Sequence, residues 1–217
     1  MTDREGLLFV MMGIAPEREE EFNAWYNEEH LPERRACEGF LNARRFEAVQ
    51  GSPKYLASYD LAGVGVLESP AYRAFTAEYS PWTKRILKLL DDHARNVYED
   101  RTPDSLRGSF ASNEAIERGS GLLAVLADVE AGHEEELLAW YAEEHLAERM
   151  ACPGILRARC FEAIDGEPRF LALCDLADLG AVETDVYRGY QANRSQRTAE
   201  VLSHVRNQRR NLYRRIA

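Results

Sequence analysis

The chain is one unit written twice. Shifted by 115 residues, Gly6-Leu7-Leu8 falls on Gly121-Leu122-Leu123, Trp25-Tyr26 on Trp140-Tyr141, and Glu28-Glu29-His30-Leu31 on Glu143-Glu144-His145-Leu146. The match runs without a gap through Cys37/Cys152, Arg44/Arg159, Phe46-Glu47-Ala48/Phe161-Glu162-Ala163, Asp60/Asp175 and Tyr72/Tyr187 to Tyr98/Tyr213. Self-similarity over this length means two copies of one structural module, so any fold must be buildable from a unit used twice.

Each copy reads as strand, helix, strand, strand, helix, strand. Leu7 to Ile14 is an apolar run of strand length, the pattern of a strand covered on both faces. Pro16 and the acids Glu17, Glu19, Glu20 and Glu21 supply helix-start chemistry. The helix is expected to run to about His30, with Phe22, Trp25, Tyr26 and Glu29 sharing a face and Pro32 stopping it; with Ala147 in place of Pro32, the second copy's helix is free to run longer. Two strands, Phe40 to Val49 and Lys54 to Leu61, flank the turn Gln50-Gly51-Ser52-Pro53, repeated as Asp165-Gly166-Glu167-Pro168. A helical region broken at Ser80-Pro81 and a last strand near Arg95 to Asp100 complete the copy.

A βαββαβ unit with both helices on one face of its sheet is ferredoxin-like, and the bare face needs cover that the other copy can give. The fold class expected is therefore α+β, two ferredoxin-like repeats forming an intramolecular dimeric α+β barrel. Residues 1–100 are the first repeat, 101–120 a polar linker and 121–217 the second repeat. Asp91, Glu99 and Asp100 align with Arg206, Arg214 and Arg215, a reversal of sign that would favour pairing of unlike halves.

Composition narrows the partners. Lys plus Arg number 27 against 37 Asp plus Glu, a net charge of −10, the wrong sign for a nucleic-acid binder. No apolar run approaches the roughly 20 residues that cross a bilayer, and residues 1–6 lack the pattern of a secretory signal, so the expectation is a cytoplasmic protein with no membrane partner. The expected assembly is a monomeric pseudo-dimer or a homodimer of barrels. Cys37, Cys152, Cys160 and Cys174 form no C-x-x-C pair and read as reduced thiols, although Cys160 and Cys174 should lie nearly opposite each other across a hairpin.

The chemically capable residues present in both copies are Trp25/Trp140, Tyr26/Tyr141, Glu29/Glu144, His30/His145, Arg44/Arg159 and Glu47/Glu162. Histidine titrates near neutrality, and a place at a helix C-terminus would favour its protonated form. There is no phosphate loop, no hydrolase triad spacing and no H-x-x-x-H or Cys/His cluster, so no metal is expected.

The run Trp25-Tyr26-Asn27-Glu28-Glu29-His30-Leu31-Pro32, with Gly39-Phe40 and Arg44-Arg45-Phe46 after it, resembles the EthD-like branch of the dimeric α+β barrel superfamily. The resemblance covers nearly all of both copies and implicates His30 and His145; the second copy departs from it at Ala142 and Ala147. Relatives in that superfamily include lactone isomerases, polyketide cyclases, monooxygenases and haem enzymes, so the fold alone does not fix a reaction.

The functional expectation is a cofactor-independent enzyme of isomerase, cyclase or lyase type acting on a small organic substrate in an apolar pocket between sheet and helices. His30 would transfer the proton, Tyr26 and Glu29 would orient it, and Trp25 and Arg44 would hold substrate. His145, Tyr141, Glu144, Trp140 and Arg159 would serve an equivalent or vestigial site. The alternatives are a haem-dependent enzyme with a histidine axial ligand and a non-catalytic small-ligand-binding barrel.

Overall fold

A computed structural model describes residues 4–217. In the first half, β1 (Gly6–Ile14) leads to α1 (Glu19–Trp25), a π turn (Tyr26–His30) and α2 (Leu31–Ala36). β2 (Arg44–Gln50), β3 (Tyr55–Leu61), α3 (Pro70–Ala77), α4 (Pro81–Leu87) and β4 (Leu90–Asp100) follow. Residues 101–120 carry two short helices, α5 (Asp104–Arg107) and α6 (Asn113–Arg118). The second half repeats the order: β5 (Gly121–Val129), α7 (Glu134–Trp140), a π turn (Tyr141–His145), α8 (Leu146–Met150), β6 (Ile155–Asp165), β7 (Phe170–Leu176), α9 (Asp185–Ala192), α10 (Gln196–Ser203) and β8 (Val205–Arg215).

The fold is mixed α+β around a closed antiparallel barrel of eight strands, in the circular order β1-β3-β2-β8-β5-β7-β6-β4. Within each half the neighbours run β4-β1-β3-β2 and β8-β5-β7-β6; β2 with β8 and β4 with β6 are the seams. Closure removes every free sheet edge. The inward side chains alternate along the strands and fill the barrel from both halves: Leu7, Phe9, Met11, Phe46, Leu56 and Tyr98 meet Leu122, Leu126, Phe161, Leu171, Leu173 and Tyr213. The outward faces are covered by the helices and form two further cores, one per half.

Each half grips the other's hairpin. Gly51 sits at φ +95°, and a side chain there would collide with the Asn211 amide, whose Nδ2 donates to the Ser52 carbonyl at 2.8 Å. The arrangement recurs with Gly166 (φ +99°) and Asn96, which donates to the Glu167 carbonyl at 2.8 Å. Only glycine combines that dihedral with so close an approach.

Several expectations change. The first helix does not stop at His30: the π turn widens the backbone just before Pro32, so the ring and its missing N–H fall at the first turn of α2, where proline is tolerated. The π turn recurs before Ala147, and α8 is no longer than α2. β2 starts at Arg44, with Phe40 making only an isolated bridge to Leu61. Cys174 pairs with Ala158 and Cys160 with Ala172, a two-residue offset, and all four cysteines are free and buried. Of the sign-reversed positions, Arg214 crosses a seam to Glu47 at 3.6 Å, whereas Asp100 meets Arg107, and Arg206 pairs within its own half with Glu130. No helix among the described residues is long and apolar enough to cross a membrane.

Candidate functional site

The π turn of each half is held by the same polar clip. Trp25 Nε1 donates to Thr83 Oγ1 at 2.9 Å, and Thr83 Oγ1 donates on to Glu29 Oε1 at 2.7 Å. Ser80, the N-cap of α4, also donates to Glu29 Oε1 at 2.6 Å. In the second half Trp140, Thr198, Ser195 and Glu144 repeat these bonds at 2.9, 2.8 and 2.5 Å. Partial burial would raise Glu29, but the bonds from Ser80, Thr83 and Trp25 hold it below the usual carboxylate range; for Glu144 the bond from Ser195 dominates. Trp25, Trp140, Glu29 and Glu144 thus fasten the π turn to the helix pair.

His30 and His145 sit beside this clip. His30 packs on Trp25 with ring centroids 4.5 Å apart and meets the Tyr26 ring edge-on at 5.2 Å; its Nδ1 is buried without a partner. His145 stacks on Trp140 at 4.2 Å and meets Tyr141 at 5.7 Å. Burial pushes both imidazoles down to about 3, helped by Arg34 and Arg45 in the first half and by Arg149 in the second. Burial and the neighbouring guanidinium charge thus favour the neutral imidazole, the reverse of the dipole expectation; the helix also continues past both rings, so no free C-terminus opposes this. The Tyr26 hydroxyl donates to Met12 Sδ at 3.2 Å, and burial raises it to about 12; Tyr141 is raised too.

Arg44 and Arg159 lie on the other face of the sheet, inside the barrel. With Arg157 they surround Asp60 and Asp175: Arg44 meets Asp175 at 2.6 Å, Arg159 meets Asp60 at 2.9 Å, and Arg157 reaches both, at 2.9 Å and 2.7 Å. Burial opposes ionisation of both aspartates, but the guanidinium groups hold Asp60 far below its usual range and Asp175 down to about 2. The pairs cross between halves and lock the barrel; they are not brought together with the histidines.

The halves part at the space beneath the helices. In the first, Arg45 fills it, its guanidinium 4.0 Å from the Tyr26 ring centre and 5.2 Å from that of Phe22, with bonds to Asn23 and Asn27 at 2.8 and 3.3 Å. The second half has Cys160 at that position, and Ala127, Leu137 and Cys174 where the first has Met12, Phe22 and Tyr59. The smaller side chains leave a cavity of about 290 Å³ between sheet and helices, lined by Trp140, Tyr141, His145, Arg149, Cys174 and Tyr187 among others. Arg149 is 4% exposed and lies 4.8 Å over the Tyr187 ring; its Nη2 stands 3.6 Å from the Glu148 carboxylate, which also lines the cavity, while its Nε and Nη1 are buried without a hydrogen-bond partner. Arg194 and Arg210 add two more guanidinium groups. Burial raises the Cys174 thiol to about 12, which leaves it inert.

Arg149, Tyr187, Arg194 and Arg210 were not among the residues expected from sequence. The signal for them was the misfit of the copies: four positions that shrink from first to second point at a space opened in one half only.

Fold and site together define a closed eight-stranded α+β barrel with a ligand-sized, arginine-bearing pocket under the helices of its second half. No protein-family model matches the sequence, and no curated protein matches it. Solved structures share the fold. An anthrone oxidase-like protein is similar with a TM-score of 0.68 at 13% identity, over 99% of this chain and 92% of that one. A protein designated a monooxygenase from Fusobacterium nucleatum subsp. nucleatum gives 0.63 at 9%, over 100% and 94%. A chlorite dismutase variant from Candidatus Nitrospira defluvii gives 0.60 at 11%, over 100% and 93%. These proteins belong to the dimeric α+β barrel superfamily, and this chain has their fold.

The expected cofactor-independent isomerase, cyclase or lyase is overturned. The structures sharing the fold are monooxygenase-like and chlorite dismutase proteins. The physical reason is in the site: burial lowers both histidines to about 3, far from the near-neutral range in which a proton-transferring imidazole works, Glu29 and Glu144 are committed to the clip, and Arg44 and Arg159 face the barrel interior.

Proposed function

We propose that the second half's cavity is the working site of an oxidoreductase-type enzyme, that haem is its cofactor, and that His145 would be the residue that holds its iron. The observation that carries this reading is a neutral imidazole lining a cavity together with Arg149, one turn further on in α8, whose Nε and Nη1 are buried without hydrogen-bond partners. The donor types suit the group, while about 290 Å³ would take only part of a porphyrin, so haem would have to seat partly at the cavity mouth. A histidine ligand must present an unprotonated nitrogen, which burial of His145 secures, and stacking on Trp140 fixes the ring. Arg149, Arg194 and Arg210 outnumber the one lining acid, Glu148, and suit a carboxylate-bearing ligand, while Leu123, Val125, Leu137 and Leu202 give apolar walls. When bound, haem supplies one-electron and oxygen chemistry, its potential set by the axial ligand and the surrounding polarity. The likeness to monooxygenase and chlorite dismutase structures supports an oxidative reading.

The test is a titration of the purified protein with hemin. A one-to-one Soret band is expected in wild type and in His30→Ala, and its loss in His145→Ala; no Soret band in wild type overturns the haem reading. The cavity's size favours a second reading. About 290 Å³ is at the lower edge of small-molecule sites, so a compact conjugated anion would fill it as the molecule oxidised. Quenching of tryptophan fluorescence by a bicyclic aromatic carboxylate, lost in Arg149→Met and without any Soret band, would select it.

The same reading takes the chain as two ferredoxin-like repeats, 1–100 and 121–217, fused through 101–120 into a monomeric pseudo-dimer that works in the cytoplasm. The strand order shared by the halves and the sequence repeat support it. The Trp25–Pro32 run supports a place near the EthD-like branch.

A further inference from the structure

A second cluster of metal-ligating side chains lies away from the cavity wall, where the start of α7 meets the end of α10. His133 precedes α7, His204 follows α10, and Glu130 follows β5. Their backbones are tied together: the Glu130 N–H donates to the His204 carbonyl at 3.0 Å and the His133 N–H to the Glu130 carbonyl at 3.1 Å. The two imidazoles stack with centroids 3.6 Å apart and planes 12° from parallel. His204 Nδ1 lies 2.8 Å from Glu130 Oε2, and His133 Nδ1 lies 2.8 Å from Glu136 Oε2. One ligand atom from each of Glu130, His133 and His204 falls within 4.8 Å of the others.

We propose that Glu130, His133 and His204 form a binding site for a first-row divalent transition metal, zinc the simplest. Ligands at about 2.0–2.2 Å from zinc stand roughly 3 to 3.5 Å from one another, so the atoms need close by only about 1–2 Å, which rotation of half-exposed side chains provides. Two imidazoles and one carboxylate with a position left for water is a recognised zinc set, and nitrogen donors select against calcium and magnesium. The ion takes the place of protons shared between ring nitrogens and carboxylates, and those protons go to solvent. Glu136 stands ready to bond a ligating ring from outside. Arg206, which pairs with Glu130, is a neighbouring cation that opposes the ion.

The first half argues against a role in the fold common to both copies. Ala15, Arg18 and Leu89 stand at the positions of Glu130, His133 and His204, and the first half folds the same way without the cluster. A bound ion would staple α7 to α10, the helices that roof the cavity.

Titration calorimetry of the full chain with zinc chloride, after chelator treatment, tests the site. One equivalent binding with a dissociation constant of about 10 µM or tighter is expected, at least tenfold weaker in His133→Ala, His204→Ala and Glu130→Gln and tighter in Arg206→Ala. Magnesium should give no heat. No saturable binding below about 100 µM, or binding unchanged in both histidine variants, overturns the proposal, the latter because the zinc then sits elsewhere, as on the thiols. Circular dichroism melts of the same variants verify that they are folded.

Discussion

The two halves share a backbone, a clip and a buried histidine, yet they use the space under their helices in opposite ways. In the first, Met12, Phe22, Arg45 and Tyr59 fill it; in the second, Ala127, Leu137, Cys160 and Cys174 leave it open. The lesson is that what both copies keep here is mostly scaffold. The Trp-Thr-Glu clip recurs because the π turn needs it, and the histidine recurs because it packs on the tryptophan. What singles out a site is where the copies differ in volume and charge.

The largest expected effect concerns what the halves hold jointly. Asp60→Ala or Asp175→Ala leaves three largely buried guanidinium groups facing a single carboxylate and should cost about 3–5 kcal/mol in denaturant unfolding, about equally for the two. A much smaller loss from one would show that the lock is lopsided. Both folded aspartates lie below their unfolded values, so this stability is present above about pH 4 and is lost as acid carries pH down through the folded values.

Histidine adds to the acid sensitivity with its own window. Each folded imidazole is depressed from 6.5 to about 3, so the unfolded chain binds more protons between those limits and stability falls as pH drops from about 6.5 toward 3. The loss is on the order of 4 kcal/mol per ring at the acid end. His30→Gln and His145→Gln should each flatten urea midpoint against pH in that window, and a ligand in the second cavity should make the His145 variant the more distinctive.

Breaking the clip should hurt the second half more. Thr198→Val strands the buried Trp140 N–H and removes a donor to Glu144, costing about 1–3 kcal/mol in thermal unfolding, whereas Thr83→Val leaves Trp25 Nε1 its 3.2 Å bond to Glu29 and should cost less. The smallest stability change accompanies the sharpest functional one. Ala127→Met with Cys174→Tyr rebuilds the first half's filling in the second and should change stability by only about 1 kcal/mol, since the space is already there, while abolishing ligand binding in the hemin or fluorescence titration. Retained binding would move the site out of this cavity.

Much of the architecture was legible because it is periodic. The repeat, the apolar run of β1, the Gly51 and Gly166 turns and the break at Ser80 are local signals with local causes. The π turn was not legible, since nothing local distinguishes a widened turn from a helix end when a proline follows. Arg44 and Arg159 misled because side-chain alternation says that a residue faces one side of a sheet without saying which side holds the solvent, the helices or the barrel interior. The histidines misled for a related reason: a sequence shows that an imidazole can titrate near neutrality, and only its surroundings decide whether it does.

The sequence by itself determined that two copies of one strand-and-helix module make this protein, because a module with one bare apolar face cannot stand alone and its repeat is written in the chain. Tertiary structure alone decided which half is open, which arginines are locked inside the barrel and which line the cavity, and that His133 meets His204 across α7 and α10. Those outcomes depend on summed side-chain volumes and on contacts between residues far apart in the chain, and neither is a property of any one segment.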